Sequence, residues 1–163
     1  KRQKYETFSD FIDSLGCLPD IALCAVGILG NQTDDEKCSL NSSLVMRTNY
    51  EGPSLILGEI ANHFEIRGSG SIIGISSVAG VRGRASNYIY GSAKSGFTSY
   101  LSGLRNRINK SGVNVLTVSP GFVYTSMTKN LDLPNLLTSQ PSAVARKIFY
   151  SKKSNLVKKI YKI

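Results

Sequence analysis

A chain of 163 residues with 41% hydrophobic and 19% charged residues can bury one core, which excludes a disordered or fibrous protein. Its apolar runs all fall short of the roughly 20 residues that cross a bilayer, so no transmembrane segment is expected. The formal charge of +9 is unevenly placed: Gln140 to Ile163 carries Arg146, Lys147, Lys152, Lys153, Lys158, Lys159 and Lys162 and no acid.

The chain opens on Lys1-Arg2-Gln3-Lys4 with no apolar leader, so no signal peptide is expected and the sequence reads as a fragment. Thr7 to Leu15 has Phe8, Phe11, Ile12 and Leu15 at helical spacing, broken by Pro19-Asp20. Ile21 to Val26 is a continuous apolar run ending at Gly27, the form of a strand buried on both faces. Asn31 to Ser39 is polar and turn-like. Leu44 to Phe64 reads as a long helix with Leu55, Ile56, Ile60 and Phe64 among its apolar positions, and Pro53 implies a kink or a local break inside it.

After Gly68-Ser69-Gly70, Ser71 to Ser76 reads as a second short buried strand. Asn87 to Asn109 is a second long helix, stopped near Gly112. Val113 to Val118 is a third strand closed by Pro120-Gly121, and Ser142 to Tyr150 a last helix with Pro141 near its start. Alternating strands and helices predict a single α/β domain with a parallel sheet and right-handed crossovers. Ligands in such sheets bind beyond the carboxyl ends of strands, here the polar segments after Val26, Ile75 and Val118.

The three cysteines Cys17, Cys24 and Cys38 have no metal-ligand spacing, and Cys24 reads as a buried small hydrophobe. An odd number without a pattern fits a reducing compartment. The single His63 leaves no Ser-His-Asp triad or zinc site, and no metal is expected; a polar place near a helix end suits it. The basic run is read first as a solvated helix face, second as a peripheral contact with anionic lipid, and last as a nucleic-acid footprint. No stacking motif accompanies the charge, so no nucleic-acid partner is expected.

Tyr90 and Lys94 lie four apart on one helix face, about 6 Å in axial rise. A phenol of pKa near ~10 is a poor acid at neutral pH, and a neighbouring ammonium favours its phenolate. Such a pair can pass a proton to a carbonyl oxygen or take one from an alcohol. The bland reading is an exposed helix pair. Ser77 stands thirteen positions before Tyr90 at a strand end, where its hydroxyl can reach the same oxygen. Asn49 falls near the kink that Pro53 suggests, where it can bind water; taken alone, it reads as a surface asparagine.

Five stretches together resemble the short-chain dehydrogenase/reductase family: Ala25-Val26-Gly27, Asn49, Ile75-Ser76-Ser77-Val78-Ala79-Gly80, Tyr90-Gly91-Ser92-Ala93-Lys94 and Pro120-Gly121-Phe122-Val123-Tyr124-Thr125. The resemblance implies a Rossmann-like doubly wound parallel sheet and an NADP or NAD cofactor. It implies Tyr90 as general acid/base, and Lys94 lowering its pKa and binding the nicotinamide ribose. Ser77 would orient the carbonyl, and Asn49 would hold a proton-relay water. Gly27 would let the backbone approach the cofactor, flanked by Ala25 and Val26. Pro120, Gly121 and Thr125 would line the nicotinamide, with the Val123 backbone on its carboxamide. Two departures stand out. Cys24-Ala25-Val26-Gly27 replaces the family's Asn-Asn-Ala-Gly, and the first βαβ unit with its Gly-x-x-x-Gly-x-Gly loop is missing, about sixty residues the family would place before Lys1. The choice between NAD and NADP rests in that part.

Ala25 to Gln32 and Ser76 to Tyr90 are similar to a subgroup of keto-reductases, of the kind that completes decaprenylphosphoryl-ribose 2-epimerisation or belongs to polysaccharide loci. This implies a keto sugar or lipid-linked sugar as substrate. Val78, Arg82 and Arg84 would sit at the substrate mouth. The arginines suit a phosphate or acidic sugar, or are a solvated loop pair. Phe122, Met127 and Leu131 would form an apolar pocket side, with core packing as the plainer reading, more so for Phe122. The two long helices form a dimer or tetramer interface in similar proteins; Gly91, Gly96 and Gly103 would permit close approach, and a cytoplasmic homo-oligomer is expected. A general alcohol dehydrogenase with a small or acyl substrate is the second reading, and a non-catalytic interaction homologue the third.

Overall fold

The computed structural model describes residues 7–153 and 160–161. In chain order, helix α1 covers Phe8–Asp13, strand β1 Ile21–Cys24, helix α2 Gln32–Asp35, helix α3 Ser39–Met46 and helix α4 Gly52–Arg67. They are followed by β2 (Gly70–Ile75), α5 (Tyr88–Ile108), β3 (Val113–Ser119), the short β4 (Phe122–Val123) and β5 (Thr138–Ser139), α6 (Pro141–Lys153) and β6 (Ile160–Tyr161). Strands β1, β2, β3 and β6 form one parallel sheet in that order, and β4 pairs with β5 in a parallel two-stranded ribbon.

Period-two alternation along β2 and β3 divides the core between two faces. Ala22, Cys24, Ile72, Val113 and Val115 pack against Leu57, Phe64, Phe97 and Leu101 from α4 and α5. Ile73, Leu116 and Val118 turn the other way, onto Ile148 of α6. Helices on both faces make the sheet doubly wound, as the family resemblance implies.

Strand β1 departs from the expectation of burial on both faces. It alternates, with Ala22 and Cys24 buried while Ile21 and Leu23 are exposed. The reason is its place at the sheet edge: among the described residues, the apolar cluster on that face reaches only Ile73, Ile75, Leu116 and Val118.

The expected helix from Leu44 to Phe64 is longer, running from Ser39 to Arg67 with a π-helical turn at Arg47–Glu51. Within that turn the Gly52 amide bonds the Arg47 carbonyl, five residues back. Pro53 cannot donate to Asn49 and would clash with its carbonyl in a regular helix; the wider turn absorbs both problems. Leu57, Ile60, Ala61 and Phe64 face the core, whereas Leu55 and Ile56 point outward. The segment read as a turn, Asn31 to Ser39, contains α2: the buried Asp35 accepts the Asn31 amide, and Ser42 donates to the Asp35 carbonyl, which ties α2 to α3. Part of the basic run falls within α6; residues 154–159 and 162–163 lie outside the described residues. No described helix is long and apolar enough to cross a membrane.

Candidate active site

The carboxyl ends of β1, β2 and β3 converge on the first turns of α5. Strand β2 ends at Ile75 and its chain continues into Ser77, whose side chain caps a 3-10 turn at Val78–Gly80 by accepting the Ala79 amide at 3.1 Å. That turn sits hard against α5. A Cβ on Gly80 would lie 2.7 Å from the Ser95 nitrogen, and one on Gly91 would lie 2.8 Å from the Ala79 carbonyl oxygen. Two missing side chains, one on each partner, let the turn carrying Ser77 touch the helix carrying Tyr90. Gly91 is therefore a packing residue within the chain, as is Gly96 beside the Tyr50 ring; only Gly103, of the three glycines expected at an oligomer face, looks onto open space.

Tyr90 and Lys94 are not the exposed helix pair of the bland reading. Tyr90 is half-buried and Lys94 is 3% exposed. Burial pushes the Tyr90 phenol above its ordinary value, opposed by a hydrogen bond with the Ser77 side chain. Burial lowers the Lys94 ammonium from 10.5 to about 8, with Cys24 acting in the opposite direction. The Lys94 Nζ donates to the Ile75 carbonyl at 3.1 Å and lies 5.8 Å from the centre of the Tyr90 ring. Lys94, expected to draw the Tyr90 pKa down, is here turned onto a backbone oxygen, and desolvation is the largest influence on the phenol.

Asn49, expected either as a water ligand or as a surface asparagine, is fully buried in the π-helical turn. Its Nδ2 donates to the Ile28 carbonyl at 2.7 Å and to the Val45 carbonyl at 2.8 Å, while its Oδ1 is buried without a partner. That oxygen points toward Gly27: a Cβ there would lie 2.7 Å from Asn49 Oδ1 and 3.2 Å from Lys94 Nζ. Gly27 therefore leaves open a space that Asn49 Oδ1 and Lys94 Nζ both border. Ala25 and Val26 are exposed beside it.

After β3, Pro120 and Gly121 are half-buried and their chain turns into β4. Pro120 accepts the Val78 amide at 3.1 Å, which fixes this loop against the Ser77 turn. Thr128 Oγ1 donates to the Val123 carbonyl at 2.6 Å and accepts the Thr125 amide at 3.0 Å. Phe122 is 40% exposed and Met127 39%, with Leu131 exposed as well, so core packing does not account for them and Phe122 is no more buried than Met127. Val78 is half-buried, and Arg82 and Arg84 are both exposed on the loop between the 3-10 turn and α5. His63 is half-buried in the C-terminal half of α4, and no cluster of metal-ligating side chains exists among the described residues.

Sequence reasoning missed two supports of the site. Gln32 Oε1 accepts the Ile89 amide at 3.2 Å, so α2 caps α5 from outside it. Ser76 and Thr98 bond the Lys94 carbonyl. Only the adjacency of Ser76 to Ser77 and the four-residue step from Lys94 to Thr98 hint at the latter.

The short chain dehydrogenase family profile matches residues 3–135. An uncharacterized oxidoreductase of Mycobacterium tuberculosis is 38% identical over 124 residues, covering 76% of this chain and 49% of that protein. An acetoacetyl-CoA reductase of Allochromatium vinosum is 30% identical over 141 residues, covering 80% of this chain and 57% of the relative. Among solved structures, a short-chain dehydrogenase from Sphingobium yanoikuyae in complex with NADPH is similar with a TM-score of 0.79, at 17% identity, over 91% of this chain and 59% of that one. This chain belongs to the short chain dehydrogenase family, and it spans about half the length of the curated relatives it matches.

Proposed function

We propose that this chain is the catalytic portion of an NAD(P)-dependent oxidoreductase that reduces a carbonyl, with Tyr90 giving its phenolic proton to the oxygen that becomes a hydroxyl. The observation that carries the reading is the convergence of Ser77, Tyr90, Lys94 and Asn49 at the carboxyl ends of three parallel strands. The residues fit the nicotinamide and its ribose: the unpartnered Asn49 Oδ1 and the buried Lys94 Nζ flank a glycine that has no side chain to fill the space between them. Lys94, Gly27, Pro120, Gly121, Val123 and Thr125 would hold that end of the cofactor, flanked by Ala25 and Val26. No Gly-x-x-x-Gly-x-Gly loop occurs in the 163 residues, so they offer no such grip on a pyrophosphate. When bound, the nicotinamide supplies the hydride.

Ser77 turns its hydroxyl proton from Tyr90 onto the substrate oxygen when substrate enters. The raised phenol pKa keeps Tyr90 protonated at neutral pH, as an acid in the reductive direction must be. The Lys94 ammonium offsets the charge of the phenolate left behind.

Two features favour a keto sugar or sugar-lipid substrate: the likeness of Ser76 to Tyr90 to keto-sugar reductases, and the exposure of Arg82, Arg84, Phe122 and Met127 on the loops that follow β2 and β3. The acetoacetyl-CoA reductase relative favours a small or acyl ketone as the second reading. NADPH oxidation by the complete gene product, measured against keto sugars and simple ketones, separates them. Tyr90→Phe removes the proton donor and keeps the ring; turnover is expected to be lost with cofactor binding retained, and unchanged turnover refutes the mechanism. A cytoplasmic homodimer or homotetramer completes the proposal, joined through the outward residues Leu44, Leu55 and Ile56 and the open Gly103; a monomer by light scattering at micromolar concentration refutes that part. The basic run around α6 would let the assembly touch an anionic membrane, which vesicle co-sedimentation tests.

A further inference from the structure

None of the roles above uses Ser76, yet it is 2% exposed and spends its hydroxyl on the catalytic helix. Its Oγ lies 3.0 Å from the Lys94 carbonyl oxygen and 2.6 Å from Thr98 Oγ1, and Thr98 Oγ1 lies 2.9 Å from the same carbonyl. Two hydroxyl protons serve three short contacts, so the triangle has interchangeable arrangements, in each of which at least one hydroxyl holds the carbonyl. The two hydroxyls are not equivalent. Thr98 bonds back along its own helix and reaches the strand side only through Ser76; Ser76 itself belongs to the strand side.

Ile75, Ser76 and Ser77 consequently meet α5 at three successive points. The Ile75 carbonyl accepts from the Lys94 Nζ, Ser76 Oγ donates to the Lys94 carbonyl, and the Ser77 side chain bonds that of Tyr90. This run is itself fixed from the other side, because the Ser76 amide bonds the Val118 carbonyl at 2.7 Å and the Val78 amide bonds the Pro120 carbonyl at 3.1 Å. We propose that Ser76 is a positioning residue: its hydroxyl pins the Lys94 backbone to the end of β2 and so sets how deeply the Lys94 ammonium is seated against Ile75 and beside Tyr90. The inference rests on the proposed reductase reading for its consequence in catalysis, but not for its first readout.

The physical link is burial. A lysine side chain has four rotatable bonds, and here only the Ile75 carbonyl holds its far end among the described residues. If the near end loosens, the amine can reach water, and the desolvation that depresses its pKa is relieved. The titratable groups against it are Tyr90 on its own helix and Cys24 on β1; neither is changed by a substitution at position 76.

The test is an NMR pH titration of protein labelled with 13C-lysine, with the Lys94 signal identified by its loss in Lys94→Arg. In the parent protein the amine should titrate near 8. In Ser76→Ala it should move up by about half a pH unit or more toward the ordinary lysine value. In Thr98→Val, which leaves the strand tie in place, it should stay near the parent value. A folded Ser76→Ala protein with an unmoved Lys94, or an equal rise in Thr98→Val, overturns the proposal. Should Ser76→Ala fail to fold, Ser76→Cys, similar in size and a weaker donor, carries the same expected rise, and no rise again overturns it. In the reductase assay, Ser76→Ala should lower kcat about tenfold with little change in KM. Absence of turnover in the parent, together with the expected rise in Ser76→Ala, would retire the reductase reading and leave Ser76 its role.

Discussion

Lys94→Met gives the most direct measure of what the site costs the fold. The drop of the Lys94 pKa from 10.5 to about 8 means that the folded protein releases this proton at a lower pH than the unfolded chain does. Between those two values the unfolded chain binds more protons, so stability rises with pH across that window and the burial penalty is felt in full below about 8. At about 1.4 kcal/mol per pH unit, the penalty at pH 7 is on the order of 3 kcal/mol, and most of it is gone by pH 10. A methionine of similar length fills the same space without the charge, though it leaves the Ile75 carbonyl without its donor. The cleanest comparison is therefore between pH values rather than between proteins at one pH. Urea unfolding followed by circular dichroism at pH 7 and pH 10 should show the parent gaining about 2.5 kcal/mol over that interval relative to Lys94→Met. Burial raises Tyr90 and Tyr100; their effect on stability has the opposite sign, begins near pH 10, and is common to both proteins. Parallel stability profiles for parent and Lys94→Met would refute the claim that Lys94 is seated away from water.

The remaining predictions concern packing around the same site. Gly27→Ala drives a methyl into Asn49 Oδ1 and Lys94 Nζ and should cost about 1–3 kcal/mol in chemical denaturation. Gly80→Ala meets the backbone of α5 at Ser95 and should cost a similar amount, whereas Gly103→Ala, with nothing within 4 Å in its own chain, should stabilise the separated protomer by about 0.5–1 kcal/mol through helix propensity and weaken only the proposed association. Calorimetry on the pair distinguishes close approach from a general intolerance of change in α5. Gln32→Ala removes the acceptor for the Ile89 amide and should lower stability by about 1 kcal/mol, with hydrogen exchange rising first at the amino end of α5.

The alternation of parallel strands and helices was legible because its signals are local. The run Ser71 to Ser76 and the turn at Pro120-Gly121 bound β2 and β3 within a residue or two of where they lie, and Asn87 to Asn109 brackets α5. The errors fall where long-range contacts decide. Whether Leu23 is buried depends on what lies over one edge of the sheet, which no property of the apolar run from Ile21 to Val26 can state. Helix α2 owes its existence to the carboxylate of Asp35 on the Asn31 amide and to Ser42 on the Asp35 carbonyl, bonds that apolar periodicity does not record. Pro53 announced an interruption of the regular helix, which appears upstream as the π-helical turn at Arg47–Glu51, because the carbonyl that a proline disturbs belongs to the residue four positions before it.

The site residues were legible through a pattern of types, and the pattern assigns jobs less well than positions. Gly27 is the instructive case. Read from sequence, it is a glycine that lets a cofactor come close; in the structure, the space its Cβ would take is already bounded by Asn49 Oδ1 and Lys94 Nζ. The two readings diverge in what Gly27→Ala does without cofactor. A residue that only clears a path for the ligand should leave the ligand-free protein as stable as before and weaken binding alone. A residue that makes room for Asn49 and Lys94 should destabilise the ligand-free protein and disturb the Lys94 titration before any cofactor is added. The second outcome follows from the geometry, since Asn49 is fully buried and its amide already holds the Ile28 and Val45 carbonyls, so it cannot move aside without breaking both bonds.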